Sequence, residues 1–314
     1  MSTTNSDRHS NIENITPEQH RFLQLCVILG ITCAVPFYLH PQGLQRPDAW
    51  QFTVLNHLLP FLMLWRFHKP IWSLPRFTQI KTWFKVGLLV ELGLLLLLGW
   101  VVLLGHLEVD WTFQGFKDWT EVQIGQQIED TELPMPSMPA DFTTLAKGAF
   151  VASFIAPWCL WWACLPQEMV WRGWVTQNAQ TPKNWMVLST YWTLWQLPLW
   201  LLEPQWHWGW WMNNGTLFAQ QVMSVWLVGI VLCKVKSQWQ SINLVALVVA
   251  LLTISETWAI LIQQTVPFPN WLWIGWNGWW GCILMSIWLL WETKTTPSRS
   301  ISLAANSERQ SEHQ

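Results

Sequence analysis

Pro166-Gln167-Glu168-Met169-Val170-Trp171-Arg172-Gly173 closes a long apolar segment that begins near residue 146. A carboxylate and a guanidinium four positions apart share one helix face. Charge at membrane depth is costly, so such a pair marks either a functional site or an ion pair that pins its helix. The surrounding sequence says that the depth is that of a bilayer. Of 314 residues, 51% are hydrophobic and 11% charged, less than half the roughly 25% charged residues of soluble domains. The charges gather between long apolar runs. This pattern predicts an all-α, polytopic membrane protein.

Reading outward from the pair, the spans follow one another with short connections. The segment carrying it runs from about 146 to 178, as one tilted helix or as a helix with a break at Pro166. Thr181-Pro182 opens the next span, about 185–202, which contains Pro198. Spans at about 208–233, ending at Lys234 and Lys236, at 241–263, and at 271–291 after Pro267, Pro269 and Asn270 complete that half. Upstream lies the long hydrophilic insert, 106–145, in which Glu108, Asp110, Asp118, Glu121, Glu129, Asp130, Glu132 and Asp141 face Lys117 alone. Phe113, Phe116 and Trp119 recur every three residues there, predicting a short amphipathic piece on the membrane face. Earlier spans are expected at 86–105, with the lone carboxylate Glu91, at 49–66, and at 21–40. Thr16-Pro17-Glu18-Gln19 reads as the start of the first helix, with Thr16 as cap and Gln19 placed to reach back.

These spans number eight, making 21–291 a membrane domain between a polar tail, 1–20, and a polar, disordered tail, 292–314. An even count puts both termini on one side, and Lys and Arg choose that side. They collect in 66–85, at Lys183, at Lys234 and Lys236, and in the last tail, opposite the acidic insert. The expected location is a multi-pass cell membrane with both termini cytoplasmic. No signal peptide is expected at the polar start. The six cysteines lie in apolar segments without CxxC or His spacing, which argues against disulfide and zinc readings. No cofactor is expected, and a divalent metal is left open. The juxtamembrane basic loops suit anionic lipid better than nucleic acid.

Gln167-Glu168-x-x-x-Arg172-Gly173 resembles the Glu-Glu-x-x-x-Arg motif of the CPBP family (CAAX-protease and bacteriocin-processing, also called Abi), with Gln167 for the first Glu. Trp192-Thr193-Leu194-Trp195-Gln196-Leu197-Pro198 is similar to the family's Phe-x-x-x-His followed by Leu-Pro, with Gln196 for the His. Val249-Ala250-Leu251-Leu252-Thr253 aligns with its His-Ala-x-x-Asn, with Val249 and Thr253 replacing the His and the Asn. The resemblance covers about 146–255 and implies a CPBP-like helical core within 146–263. At about 1.5 Å per residue, the motif positions all lie about 10–18 Å below the cytoplasmic surface.

In the family, the first Glu and the His activate water for peptide hydrolysis, and the last His and Asn stabilise the oxyanion. That chemistry needs a general base and donors aimed at developing charge. Gln has no basic site near neutral pH and Val donates nothing, so Glu168 is the remaining candidate base. The implied expectation is a catalytically impaired endopeptidase homologue that binds a membrane peptide or lipidated partner. An active divergent endopeptidase using Glu168, with Glu256 on the face of Val249 and Thr253 as accessory, is the alternative. An unrelated transporter or membrane scaffold is the third. Simpler readings stand beside these: Glu168–Arg172 as a structural ion pair, Gln196 as a partner for backbone freed by Pro198, and Glu91 and Glu256 as interfacial or packed carboxylates. Glu203 and His207, four apart, are weak metal candidates because Pro204 interrupts them. The tryptophans read as interfacial belts and bulky packing.

Overall fold

The computed structural model describes residues 15–39, 58–66, 80–118, 120–121, 141–175, 181–202, 215–262 and 278–295. Among them the fold is helical, with no strands. In chain order come α1 (Pro17–Leu39), α2 (58–66), α3 (Ile80–Leu103), α4 (Phe142–Glu168), α5 (Pro182–Leu202), α6 (Gly215–Trp239), α7 (Ile242–Ile262) and α8 (Trp279–Thr295). A π-helical segment, Met169–Trp174, continues α4 without a loop. This is a helical membrane protein: α3, α4 with its π extension, and α6 are each long and apolar enough to cross a bilayer. α3 bears Phe84, Leu88, Leu89, Leu92, Leu96 and Leu103 at half exposure or more, an apolar strip that lipid covers and water would not tolerate.

The helix starts follow local chemistry. At α1, the Thr16 hydroxyl accepts from Gln19 N–H at 3.2 Å while Gln19 Oε1 accepts from Thr16 N–H at 2.9 Å, the reciprocal cap read from the sequence. Thr181 accepts from Asn184 N–H at the head of α5, and Ser241 accepts from Leu244 N–H at the head of α7. Other boundaries differ from expectation. α3 begins at Ile80, so Lys81 and Lys85 ride on the helix instead of preceding it. α6 runs on to Trp239, past Lys234 and Lys236. Lys234 is buried, its ammonium 4.5 Å from the centre of the Trp288 ring of α8. Its long stem lets it lie on an apolar neighbour near the helix end, so the charge does not terminate the helix.

α7 is central: it packs along α4, α3, α6 and the π segment, while α5 joins α6 to α1 and α8 rests on α6. Two glycines permit close approach. A Cβ on Gly87 of α3 would lie 2.5 Å from a ring carbon of Trp158 in α4, and one on Gly229 of α6 would lie 2.7 Å from Ser189 Oγ in α5. Small residues at such seams let membrane helices meet on backbone.

The core has two parts, one at each end. One gathers Leu23, Phe61, Trp171, Leu188, Leu232 and Leu244; the other gathers Val101, Leu107, Phe113, Ala146, Leu261 and Ile262. Charge follows the same division. Arg66, Lys81, Lys85, Lys183, Lys234 and Lys236 belong to the helix ends around the first cluster, and Glu108, Asp110, Asp118, Glu121 and Asp141 to those around the second, where Lys117 and Lys147 also lie. The described part of the acidic insert docks on the protein itself. Asp110 N–H donates to Ile262 O at 2.7 Å, and Phe113, with φ of 61°, buries its ring against Phe150. The strained backbone is held by Asp110, whose carboxylate accepts from the N–H groups of Thr112 and Gly115. Residues 1–14, most of the expected 49–66 span, 122–140, 203–214, 263–277 and 296–314 lie outside the described residues, and with them Glu203 and His207.

Candidate functional site

Glu168 ends α4 and Arg172 lies one turn later in the π segment. Pro166, just before, removes one backbone donor and crowds the preceding turn. The hydrogen bonding then widens: Val175 N–H donates to Val170 O, five residues back. Such π segments are frequent at functional positions. The widened turn brings Arg172 Nη1 to 2.9 and 3.1 Å from the two carboxylate oxygens of Glu168. Neither side chain is more than 1% exposed.

Four further elements pack around this segment. From α5, Trp192 lies against the guanidinium, 4.2 Å from its carbon to the ring centre. Trp195, on the same helix, packs on Trp171 at 5.4 Å between ring centres. From α6, the buried Cys233 thiol sits beside Arg172. From α7, Ile242 fills the space above Gly173, where a Cβ would come within 3.0 Å of its Cδ1. From α1, Gln19 Nε2 donates to the carbonyls of Trp174 and Val175 at 3.2 and 3.4 Å, taking up acceptors that the end of a helix leaves open.

The structure therefore joins Glu168, Arg172 and Trp192. Gln167 is buried beside them in sequence, and Gln196 is half-buried on α5 one turn past Trp192. Val249 of α7 packs against the same core cluster as Trp171 and Trp192. Thr253 is different: it is exposed, and its hydroxyl donates back to Val249 O at 2.9 Å on its own helix. A branched hydroxyl in a helix readily finds the carbonyl four residues back, so spacing that aligns with a motif does not aim the side chain. The side chain of Glu256 lies outside the described residues. Glu91 belongs to another seam, between α3 and α4, where it accepts from Trp158 Nε1 at 3.2 Å. Among the described residues, no three His, Cys, Asp or Glu side chains cluster as a metal site would require.

Chemically, the arrangement is an anchor. Both oxygens of Glu168 are engaged by one guanidinium, and no solvent-accessible surface remains through which the carboxylate would meet a water or a peptide. Two participants escaped the sequence reading. Cys233 read as a small core residue, and Gln19 as a local cap, because neither carries a signal of a partner some 60 or 155 positions away along the chain. Comparison of the chain with protein-family models, with curated proteins and with solved structures finds no match.

Proposed function

We propose that this is an eight-span membrane protein with a CPBP-like core that has lost peptidase chemistry and holds a membrane peptide or lipidated partner without cleaving it. Both termini are cytoplasmic in this reading, since Lys and Arg favour that side and the start of α1 packs, through Gln19, on the Trp174 and Val175 end of the fold where Lys183, Lys234 and Lys236 gather. The observation that carries the loss of chemistry is the engagement of Glu168, the remaining candidate base, by Arg172 with both sealed from solvent. A base must reach the proton it abstracts, and Gln167, Gln196 and Val249 supply none. A base and oxyanion donors are each worth roughly 10²–10⁴ in rate, so losing both together removes efficient hydrolysis.

The test is mass-spectrometric detection of cleavage products from a library of prenylated and single-span peptides. Wild type is compared with Glu168→Ala and with a variant carrying Gln167→Glu, Gln196→His, Val249→His and Thr253→Asn. Expected is a silent wild type that nonetheless retains peptides on pull-down. Products that disappear in Glu168→Ala would overturn the reading in favour of a divergent endopeptidase. One observation favours a second reading, a membrane scaffold with a coincidental motif: the outward placement of Thr253. A multiply substituted variant that folds, binds no peptide and cleaves none supports that scaffold.

A further inference from the structure

Away from Glu168 and Arg172, one lateral face combines positive charge, aromatic rims and bare apolar surface. α3 enters the fold with Lys81 and Lys85, one turn apart on one face and both exposed. Below them Leu88, Leu89 and Leu92 are 50%, 67% and 50% exposed. Ring contacts fasten α4 to α3 at this level, Trp83 to Trp161 at 5.6 Å and Phe84 to Trp158 at 5.4 Å. The next residue of α4, Trp162, turns outward at 63% exposure. The sequence from 66 to 90 contains five basic residues and no carboxylate, and two of the five, Lys81 and Lys85, stand on α3.

We propose that this face binds an anionic phospholipid of the bilayer, its phosphate against Lys81 and Lys85 and an acyl chain along Leu88, Leu89 and Leu92. Charge complementarity is joined here to a hydrophobic track. Lysine at the end of a spanning helix keeps its stem on apolar surface and its ammonium at headgroup level. Indole rings that are apolar in body and polar at the N–H edge belong at the same level. A free phosphate would gain the charge alone. A zwitterionic lipid would gain the leucine track, but it brings its own cation to the lysines. Only an anionic lipid uses both parts of the face. The inference is independent of whether the protein cleaves, binds or ignores peptides.

The experiment is native mass spectrometry of the purified full-length protein in detergent, titrated with dioleoyl phosphatidylglycerol or dioleoyl phosphatidylcholine. Wild type is compared with Lys81→Gln, Lys85→Gln, the double variant, and Lys183→Gln as an exposed lysine at the same end on α5. Wild type is expected to retain phosphatidylglycerol preferentially. Each substitution on α3 should lower that preference about fivefold and the double about 25-fold, with Lys183→Gln unchanged. Because both α3 lysines are exposed, melting temperatures should match wild type and show that folding is not the cause. Equal retention of both lipids by wild type, an equal loss in Lys183→Gln, or displacement of the lipid by inorganic phosphate at matched ionic strength would each overturn the site.

Discussion

Arg172→Met removes the guanidinium that bonds both oxygens of Glu168 at 2.9 and 3.1 Å. With neither partner more than 1% exposed, water cannot take its place. Leaving one member of a buried pair alone costs about 3–5 kcal/mol, and the lost contact with the Trp192 face adds up to about 2 kcal/mol. Domains of 150–250 residues lose about 2–4 °C in melting temperature per kcal/mol, so the variant should melt on the order of 10 °C lower. Glu168→Leu alone should be comparably harmful, because it strands the cation. The double variant Glu168→Leu, Arg172→Met removes both charges and keeps apolar volume, and such replacements are near neutral or stabilising by about 1–4 kcal/mol. A coupling energy of about 3 kcal/mol or more should therefore emerge from the double-mutant cycle. The assay is thermal unfolding of the purified protein in detergent, followed by size exclusion. Single variants within about 2 °C of wild type, or a double variant whose loss equals the sum of the singles, would refute the anchor.

Further outcomes follow from other seams. Gln19→Leu loses one cap and the bonds to the Trp174 and Val175 carbonyls; a cost of about 1–3 kcal/mol and faster amide exchange across 170–175, with α6 unchanged, are expected. Gly87→Ala places a Cβ 2.5 Å from Trp158 and 3.0 Å from Leu247 and should cost about 1–3 kcal/mol in melting experiments. Gly93→Ala, on the same helix with nothing within 4 Å, should be neutral or stabilising by up to about 1 kcal/mol. At Asp110, desolvation is the largest single cause and pushes the carboxyl up, but hydrogen bonds from the Thr112 hydroxyl and the N–H groups of Gly115, Thr112 and Gln114 together outweigh it, leaving the group below its usual range. A lowered folded value means that the contribution is complete above the unfolded value near 3.8 and is lost as pH falls through the folded one. Wild type and Asp110→Asn should thus differ in melting temperature by a constant amount from pH 7 to 5, and the difference should begin to shrink as pH falls below about 4; a difference that stays constant down to pH 3 would count against the carboxylate as the cause.

Much of the helical plan was legible because it rests on short-range or compositional physics. The long apolar runs demanded lipid, the Thr16–Gln19 cap needed only three residues of reach, and Glu168 and Arg172 could meet within one turn of their own helix. The excess of carboxylates in the insert was legible for the same reason, since it is a property of loops along the chain, though Lys117 and Lys147 stand at that end as well. The misread boundaries at Lys85 and Lys234 show the limit of that logic. A charge ends an apolar run on paper, yet a lysine stem long enough to lie over Trp288 lets the helix continue.

The sequence by itself determined a helical membrane protein and the i, i+4 ion pair, since helix period and the cost of burying charge act locally. Only the tertiary structure decided that the pair is buried against Trp192 and Cys233, and that Thr253 turns back to its own helix. In a helix as apolar as α7 over residues 244–252, every face is hydrophobic, so periodicity there carries little information about which side meets which neighbour. That choice falls to close packing, where a glycine at Gly87, Gly173 or Gly229 admits a neighbour that any side chain would push away.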